Sequence, residues 1–422
     1  MRTLRRPRQL NPNRARGDIE ELNDLSVDPD ELINLAVNSA YGEILRDYRN
    51  AVLAGLAQTA APFFDAVPHF FSPLILRMKA LVLTGPSQFE IQDVPQPEPG
   101  PGEVLIKVMA CGICGSDVHG MDGSTGRRQP PVIMGHEASG EVAALGEGVS
   151  DYHVGDRVTF DSTVYCGECH FCQSGKVNLC EDRNVIGVSC DDYNRPGAFA
   201  EYLVVPTRVL YRFGPSLDFA KACMVEPLSI AFHAVSQTPL SLGASVVVVG
   251  AGIIGQMVVQ TVRRAGCGTL IVADLDDTRL AVASKHGADH AINSSRENLV
   301  ERVKALTGGI GADIVLEAVG AEPTIRAGVA CLRKGGAMTV IGNIAPNISF
   351  PMQEVVTREL RIQGTCASAG EYPACLEFLE RGWIDVSDAI SEIVPLERGP
   401  EMFDRLHHRE PGLNKVILQP QS

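Results

Sequence analysis

The chain has 422 residues, of which 45% are hydrophobic and 21% charged. That is the composition of a soluble globular protein large enough for two or three domains. Its formal net charge of −14 argues against a nucleic-acid partner, which calls for a basic face. No run of about 18 uninterrupted apolar residues occurs, so no membrane span is expected. Twelve cysteines without a secretory signal point to a reducing, cytoplasmic setting.

Residues 1–77 differ in character from the rest of the chain. The first sixteen carry Arg2, Arg5, Arg6, Arg8, Arg14 and Arg16 and no acid. Asp28, Pro29 and Glu31 read as a helix start, with Asp28 as cap and Glu31 as its reciprocal partner. Leu32, Leu35, Ala36, Ala40 and Ile44 come after them at helical spacing. Pro62, Pro68 and Pro73 close the segment. A transit peptide and a docking helix are both open readings. The favoured one is an extension ahead of a start at Met78, where the strand-like Met-Lys-Ala-Leu-Val-Leu begins.

From Met78 to about residue 220 the pattern is short strands and turns, such as Val104–Val108 and the turn at Gly155 and Asp156 that leads into Arg157 and Val158. This part holds Cys111, Cys114, Ser116, Asp117 and His119, then Gly135, His136 and Glu137. Cys114, His136 and Glu137 offer a thiolate, an imidazole and a carboxylate. Three protein ligands plus an open position is the arrangement of catalytic zinc. Alone, each cluster also reads as a buried cysteine or a turn histidine.

Further on, Cys166, Cys169, Cys172 and Cys180 have the spacing C-x2-C-x2-C-x7-C. Short C-x-x-C loops converge sulfurs on one metal ion, and four thiolates close its shell, so this lobe reads as structural zinc. Two disulfides are the alternative, which a reducing compartment opposes. A zinc-ribbon nucleic-acid module is opposed by the acidic charge.

Between about 245 and 365 strands and helices alternate, which implies a parallel sheet covered on both faces. Ser245–Val249, Leu270–Ala273, Asp313–Leu316 and Met338–Ile341 are the strand candidates. The valine run leads into Gly250-Ala251-Gly252-Ile253-Ile254-Gly255 and then an apolar helix. In that context Gly250 allows a tight turn, Gly252 a close approach of a pyrophosphate, and Gly255 helix–strand packing. The helix start at Ile253 and Ile254 supplies N–H groups for phosphate. Asp274, ending the second strand, suits the ribose hydroxyls and repels a 2′-phosphate, which favours NAD over NADP. Arg279, on the next helix, joins the cofactor-binding set. The last fifty or so residues return to mixed structure.

From Met78 onward these motifs together resemble the zinc-dependent medium-chain dehydrogenase/reductase family. Gly135-His136-Glu137-x-x-Gly140-x5-Gly146 is similar to its zinc signature, and Cys166 to Cys180 to its structural zinc loop. Glu226-Pro227-Leu228-Ser229 resembles the sorbitol dehydrogenase branch. The resemblance implies a doubly wound Rossmann α/β domain beside a mostly β, GroES-like catalytic domain with a structural zinc lobe. It divides the chain into 78–226, a cofactor domain at 227–366 and a catalytic return at 367–422. It implies two zinc ions per subunit and NAD, with Cys114, His136, Glu137 and Glu226 at the catalytic ion. Ser116 and His119 would carry the alcohol proton outward, and Asp117 would orient a zinc-ligating histidine.

The expected reaction is hydride transfer between NAD and a secondary alcohol of the polyol, sugar-derivative or vicinal-diol class, in a homotetramer or homodimer. L-threonine 3-dehydrogenase and 2,3-butanediol dehydrogenase are the enzyme alternatives, and an NAD-binding sensor is the non-enzymatic one. The chain departs from the polyol branch at Gly120, where that branch has a ring, and at Ala367 and Ser368, where it has an Arg-Tyr pair. These departures imply a wider pocket in which sorbitol is a poor substrate.

Overall fold

The computed structural model describes residues 76–190 and 193–422. The expected helix after Asp28 and the readings of residues 1–75 lie outside them. Among the described residues no helix is long and apolar enough to cross a membrane.

Val246–Val249 is the centre of a six-stranded parallel sheet. It pairs with Leu270–Asp274 on one side and Ala312–Glu317 on the other. His290–Asn293, Leu332–Val340 and Arg361–Gly364 complete a sheet whose chain order runs 3-2-1-4-5-6 across it. Four successive valines suit this place because both faces are covered. Val246 and Val248 enter one core with helices Val225–Gln237 and Ile253–Arg264. Val247 and Val249 enter another with helices Leu299–Leu306 and Glu322–Cys331. The four expected strands are present. His290–Asn293 and Arg361–Gly364 are additional to them, and carry too little apolar pattern to mark a strand by sequence.

The second large sheet has seven strands built around Glu103–Gly112. This strand pairs antiparallel with Glu137–Leu145, Tyr202–Pro206 and Lys415–Gln419. Its register sets Gly112 opposite Glu137 and Cys111 opposite Ala138, with Ile417 and Leu418 on the other side. A Cβ at Gly112 would lie 2.4 Å from Glu137 Oε2, so only glycine leaves room for that carboxylate. Ile390–Pro395 pairs with Lys415–Gln419, and these two strands return to this sheet after the parallel one is complete.

Candidate active site

Cys114 caps the short helix Gly115–Gly120. Its sulfur accepts from the Ser116 N–H at 3.4 Å, and its own N–H donates to Asp117 Oδ2 at 3.3 Å. His136 and Glu137 lie at the start of strand Glu137–Leu145. Donor atoms of Cys114, His136 and Glu137 all fall within 4.8 Å of one another, and His136 and Glu137 are buried. Asp117 is fully buried. Burial alone would raise its pKa, but the neighbouring His136 and Arg128 hold its carboxyl well below the usual range. Burial would likewise lower the proton affinity of His136, yet Asp117 and the Cys114 sulfur raise it. An electron-rich imidazole, a sulfur and a carboxylate converging in the interior fit a divalent cation of the zinc class. His136 Nδ1 is 3.5 Å from Asp117 Oδ1 and has no hydrogen-bond partner.

Glu226, on the first turn of helix Val225–Gln237, is not among the converging donors. Loss of solvent, the largest influence, pushes its carboxyl up to about 8; Glu137 adds to this and His136 opposes it. Ser116 and His119 are exposed at i and i+3 on one short helix, hence on neighbouring positions of its surface.

Cys166, Cys169, Cys172 and Cys180 also bring their sulfurs within 4.8 Å. Cys166 Sγ and Cys172 Sγ are 3.9 Å apart, close to the edge of about 3.8 Å expected for a tetrahedron with arms of about 2.3 Å. Backbone N–H groups, that of Cys172 first, lower Cys169 to about 6, while desolvation pushes Cys172 up to about 12. Four sulfurs cannot all ionise at this distance unless a cation shares them, so the donor set fits a closed metal site.

At the glycine loop, Gly250 has φ 96°. A Cβ at Gly255 would stand 1.8 Å from the Gly250 carbonyl, whereas one at Gly252 would meet nothing within 4 Å. The first two glycines thus make the turn and an open face, and the third lets the helix pack. Ile253 and Ile254 begin the helix behind it. Asp274 Oδ2 accepts from Ala251 N at 2.6 Å, and Oδ1 from Leu275 N and Asp276 N at 2.7 and 3.0 Å. The carboxylate therefore braces the glycine loop. Arg279 lies on helix Asp277–Lys285 with its guanidinium 3.9 Å from Asp276.

Several residues at the site have no local sequence signal. Lys415 is 2% exposed; its Nζ donates to Glu137 Oε2 at 2.5 Å and to the Ile113 carbonyl at 3.0 Å. Asp161, buried and pushed up to about 6 by desolvation, accepts from Ser368 Oγ at 2.9 Å and Thr163 N at 2.8 Å. Asn178, between Cys172 and Cys180, donates to the Cys366 carbonyl at 2.8 Å and lies 3.2 Å from His233 Nε2. The carbonyl fixes the amide orientation, so His233 Nε2 accepts and Nδ1–H donates to Glu371 Oε1 at 2.7 Å. Ser368 is thus fastened inward and the segment after Arg361–Gly364 is held at several points. Gly120 is packed against Arg128 and Thr125. A Cβ there would meet Arg128 Cγ at 2.8 Å and Thr125 Oγ1 at 3.2 Å. The room that a ring would take is filled by the Arg128 side chain.

Residues 100–215 match the alcohol dehydrogenase GroES-like domain, and residues 254–381 the zinc-binding dehydrogenase family. The chain is 40% identical over 350 residues to a sorbitol dehydrogenase of Halalkalibacterium halodurans, covering 81% of this chain and 99% of that one. It is 34% identical over 347 residues to the sorbitol dehydrogenase of Bacillus subtilis, covering 81% and 97%. Among solved structures, a protein of Sinorhizobium meliloti 1021 described as a zinc-binding dehydrogenase and bound to NADP superposes with a TM-score of 0.75. It shares 31% identity and covers 82% of this chain and 100% of its own.

Proposed function

The chain belongs to the zinc-dependent medium-chain dehydrogenase/reductase family, in its sorbitol dehydrogenase-like branch, and from this we propose that it oxidises polyols, sugar derivatives or vicinal diols to ketones with NAD. The observation that carries the reading is the convergence of Cys114, His136 and Glu137 within 4.8 Å. Zinc held there supplies Lewis acidity to an alcohol oxygen, and NAD on the glycine loop supplies the hydride acceptor. Lys415 engages Glu137 Oε2, so Oε1 is the donor left for the metal. Ser116 takes up the alcohol proton only as it gives its own hydroxyl proton onward, and His119, exposed on the same short helix, is the group that passes the proton to solvent. Glu226, on the first turn of helix Val225–Gln237, lies in or just behind the shell of the metal. The four-cysteine lobe holds a second, structural zinc. Asp274 selects NAD over NADP. The reading includes a cytoplasmic homotetramer or homodimer.

The test is a panel of sorbitol, xylitol, 2,3-butanediol and L-threonine with NAD⁺ and NADP⁺, monitored by formation of the reduced cofactor. Turnover of polyols or diols with NAD⁺ is expected. Preference for L-threonine would move the assignment to an amino-acid dehydrogenase. No turnover by zinc-loaded protein that still binds NAD would leave the sensor reading.

A further inference from the structure

We propose that Arg128 is a positioning residue of the metal centre: it holds the Asp117 carboxylate beside His136 and reaches Ser116, in space left by the missing side chain of Gly120. The inference rests on reading Cys114, His136 and Glu137 as a zinc site.

Arg128 is 4% exposed and Asp117 is fully buried. A buried guanidinium is costly unless it is paired and hydrogen-bonded. Here Nη2 donates to Asp117 Oδ1 at 2.7 Å and Nε donates to the same oxygen at 3.2 Å. Nη1 donates to the Arg127 carbonyl at 3.1 Å, and Nη2 lies 3.5 Å from Ser116 Oγ. Asp117 Oδ1 thus has two claimants. Arg128 makes the short contact, and His136 Nδ1 stands off at 3.5 Å. The other carboxylate oxygen accepts from Cys114 N. One arginine therefore fixes an acid that accepts from the backbone of Cys114 and stands beside the His136 ring, and also reaches the hydroxyl assigned to proton transfer. A lysine could supply charge but not this fork, because its ammonium cannot address Asp117 and Ser116 in one plane.

Gly120 makes the arrangement testable without touching the arginine. It lies in helix Gly115–Gly120 and is not among the residues with positive φ. Alanine there carries no backbone strain. Its methyl would, however, collide with Arg128 Cγ. A functional loss in Gly120→Ala that disappears when Arg128 is already methionine is therefore traceable to the displaced arginine. Partners that orient a metal-ligating histidine are worth about 10–100-fold in metal affinity or activity. Arg128 acts one step further out, so the lower end of that range applies.

The experiment uses the full chain loaded with zinc. Release of each metal class into a chromophoric chelator is measured for wild type, Gly120→Ala, Arg128→Lys, Arg128→Met and the Gly120→Ala/Arg128→Met pair. Melting temperature, kcat, and KM for alcohol and NAD⁺ are measured alongside, with the d–d spectrum of the cobalt-substituted forms. The proposal expects about tenfold faster release from the catalytic site and about tenfold lower kcat in Arg128→Met, with release from the four-cysteine lobe and KM for NAD⁺ unchanged. Arg128→Lys should recover part of the loss. Gly120→Ala should show the same pattern with a smaller fall in melting temperature than Arg128→Met, and should add nothing to the faster release or lower kcat in the Arg128→Met background. If Arg128→Met does not fold, Gly120→Ala decides alone. Unchanged or slower release with unchanged kcat in Gly120→Ala and Arg128→Lys overturns the proposal. A wild-type protein that holds no second zinc, or loses none on Cys114→Ser, overturns the zinc reading instead.

Discussion

Replacing Lys415 with methionine removes one half of a buried ion pair and leaves the other half in place. Lys415 and Glu137 are 2% and 1% exposed, with Nζ 2.5 Å from Oε2. Burial tends to lower the lysine pKa, but the adjacent carboxylate more than reverses this and holds it above its ordinary value. The lysine is therefore charged at neutral pH. Methionine matches the length of the lysine stem, so packing changes little. Glu137 is left without its cation, and the Ile113 carbonyl without its donor. Breaking such a pair from one side costs about 3–5 kcal/mol. At roughly 2 °C per kcal/mol for a body of this size, the metal-free protein should melt about 6–10 °C lower. Zinc should shrink the penalty, because Glu137 then has a second cation to face. Lys415→Met/Glu137→Gln should recover more than half of the loss, since neither partner is then charged. Calorimetric scans at one rate, with and without chelator, provide the measurement. A shift under about 2 °C in the single variant, or a double variant no better than the single, would refute the account of the pair.

Asp161→Asn keeps an acceptor for the Thr163 N–H and turns an amide donor toward the Ser368 hydroxyl, but removes a carboxylate whose native pKa is raised to about 6. The raised value means that native Asp161 disfavours ionisation: the cost is fully present above about pH 6 and vanishes below the unfolded value of about 3.9. The variant should be more stable than wild type at about pH 8, by up to about 3 kcal/mol, and equal at about pH 3.5; a larger gain at acid pH would contradict the burial argument. Cys169→Ser should lower both zinc content and melting temperature, whereas Cys114→Ser should abolish turnover and leave NAD binding intact. Elemental analysis finding one zinc or none in active wild type would sink the two-site assignment. Asp274→Ser should weaken NAD⁺, because the glycine loop loses its brace at Ala251, and should narrow the gap to NADP⁺. A wild-type kcat/KM that favours NADP⁺ would contradict the role given to Asp274.

Features legible in the sequence are those whose meaning is local. Four valines in a row announce a strand buried on both faces, and the glycines after them require a turn and a close approach whatever surrounds them. The cysteine spacing converges on a metal by chain geometry alone. His290–Asn293 and Arg361–Gly364 give no such signal because they are edge strands of the sheet, where one side needs no apolar residue. Lys415 reads as the polar start of a strand, and nothing nearby says that its partner is Glu137. Arg128 is closer to Asp117 in the chain, yet beside Arg127 it reads as a surface pair. In the sequence Gly120 shows only the absence of a ring, and the packing alone reveals that Arg128 takes its place.

The strand that delivers Lys415 comes after every other described element in chain order. Its lysine meets a glutamate 278 positions earlier, and the whole parallel sheet is synthesised in between. Closing a flexible loop of that length costs about 5 kcal/mol by the logarithmic law. Prior folding of the intervening unit removes about half of the free length, and so recovers only about 0.6 kcal/mol. The intervening unit therefore determines the order of assembly far more than its energy. On an emerging chain, Gly112 and Glu137 can pair early, but the carboxylate stays without its lysine until Ile417 and Leu418 find their places beside Gly112 and Cys111. The pocket is finished from the back, by a strand that takes no part in the chemistry it completes.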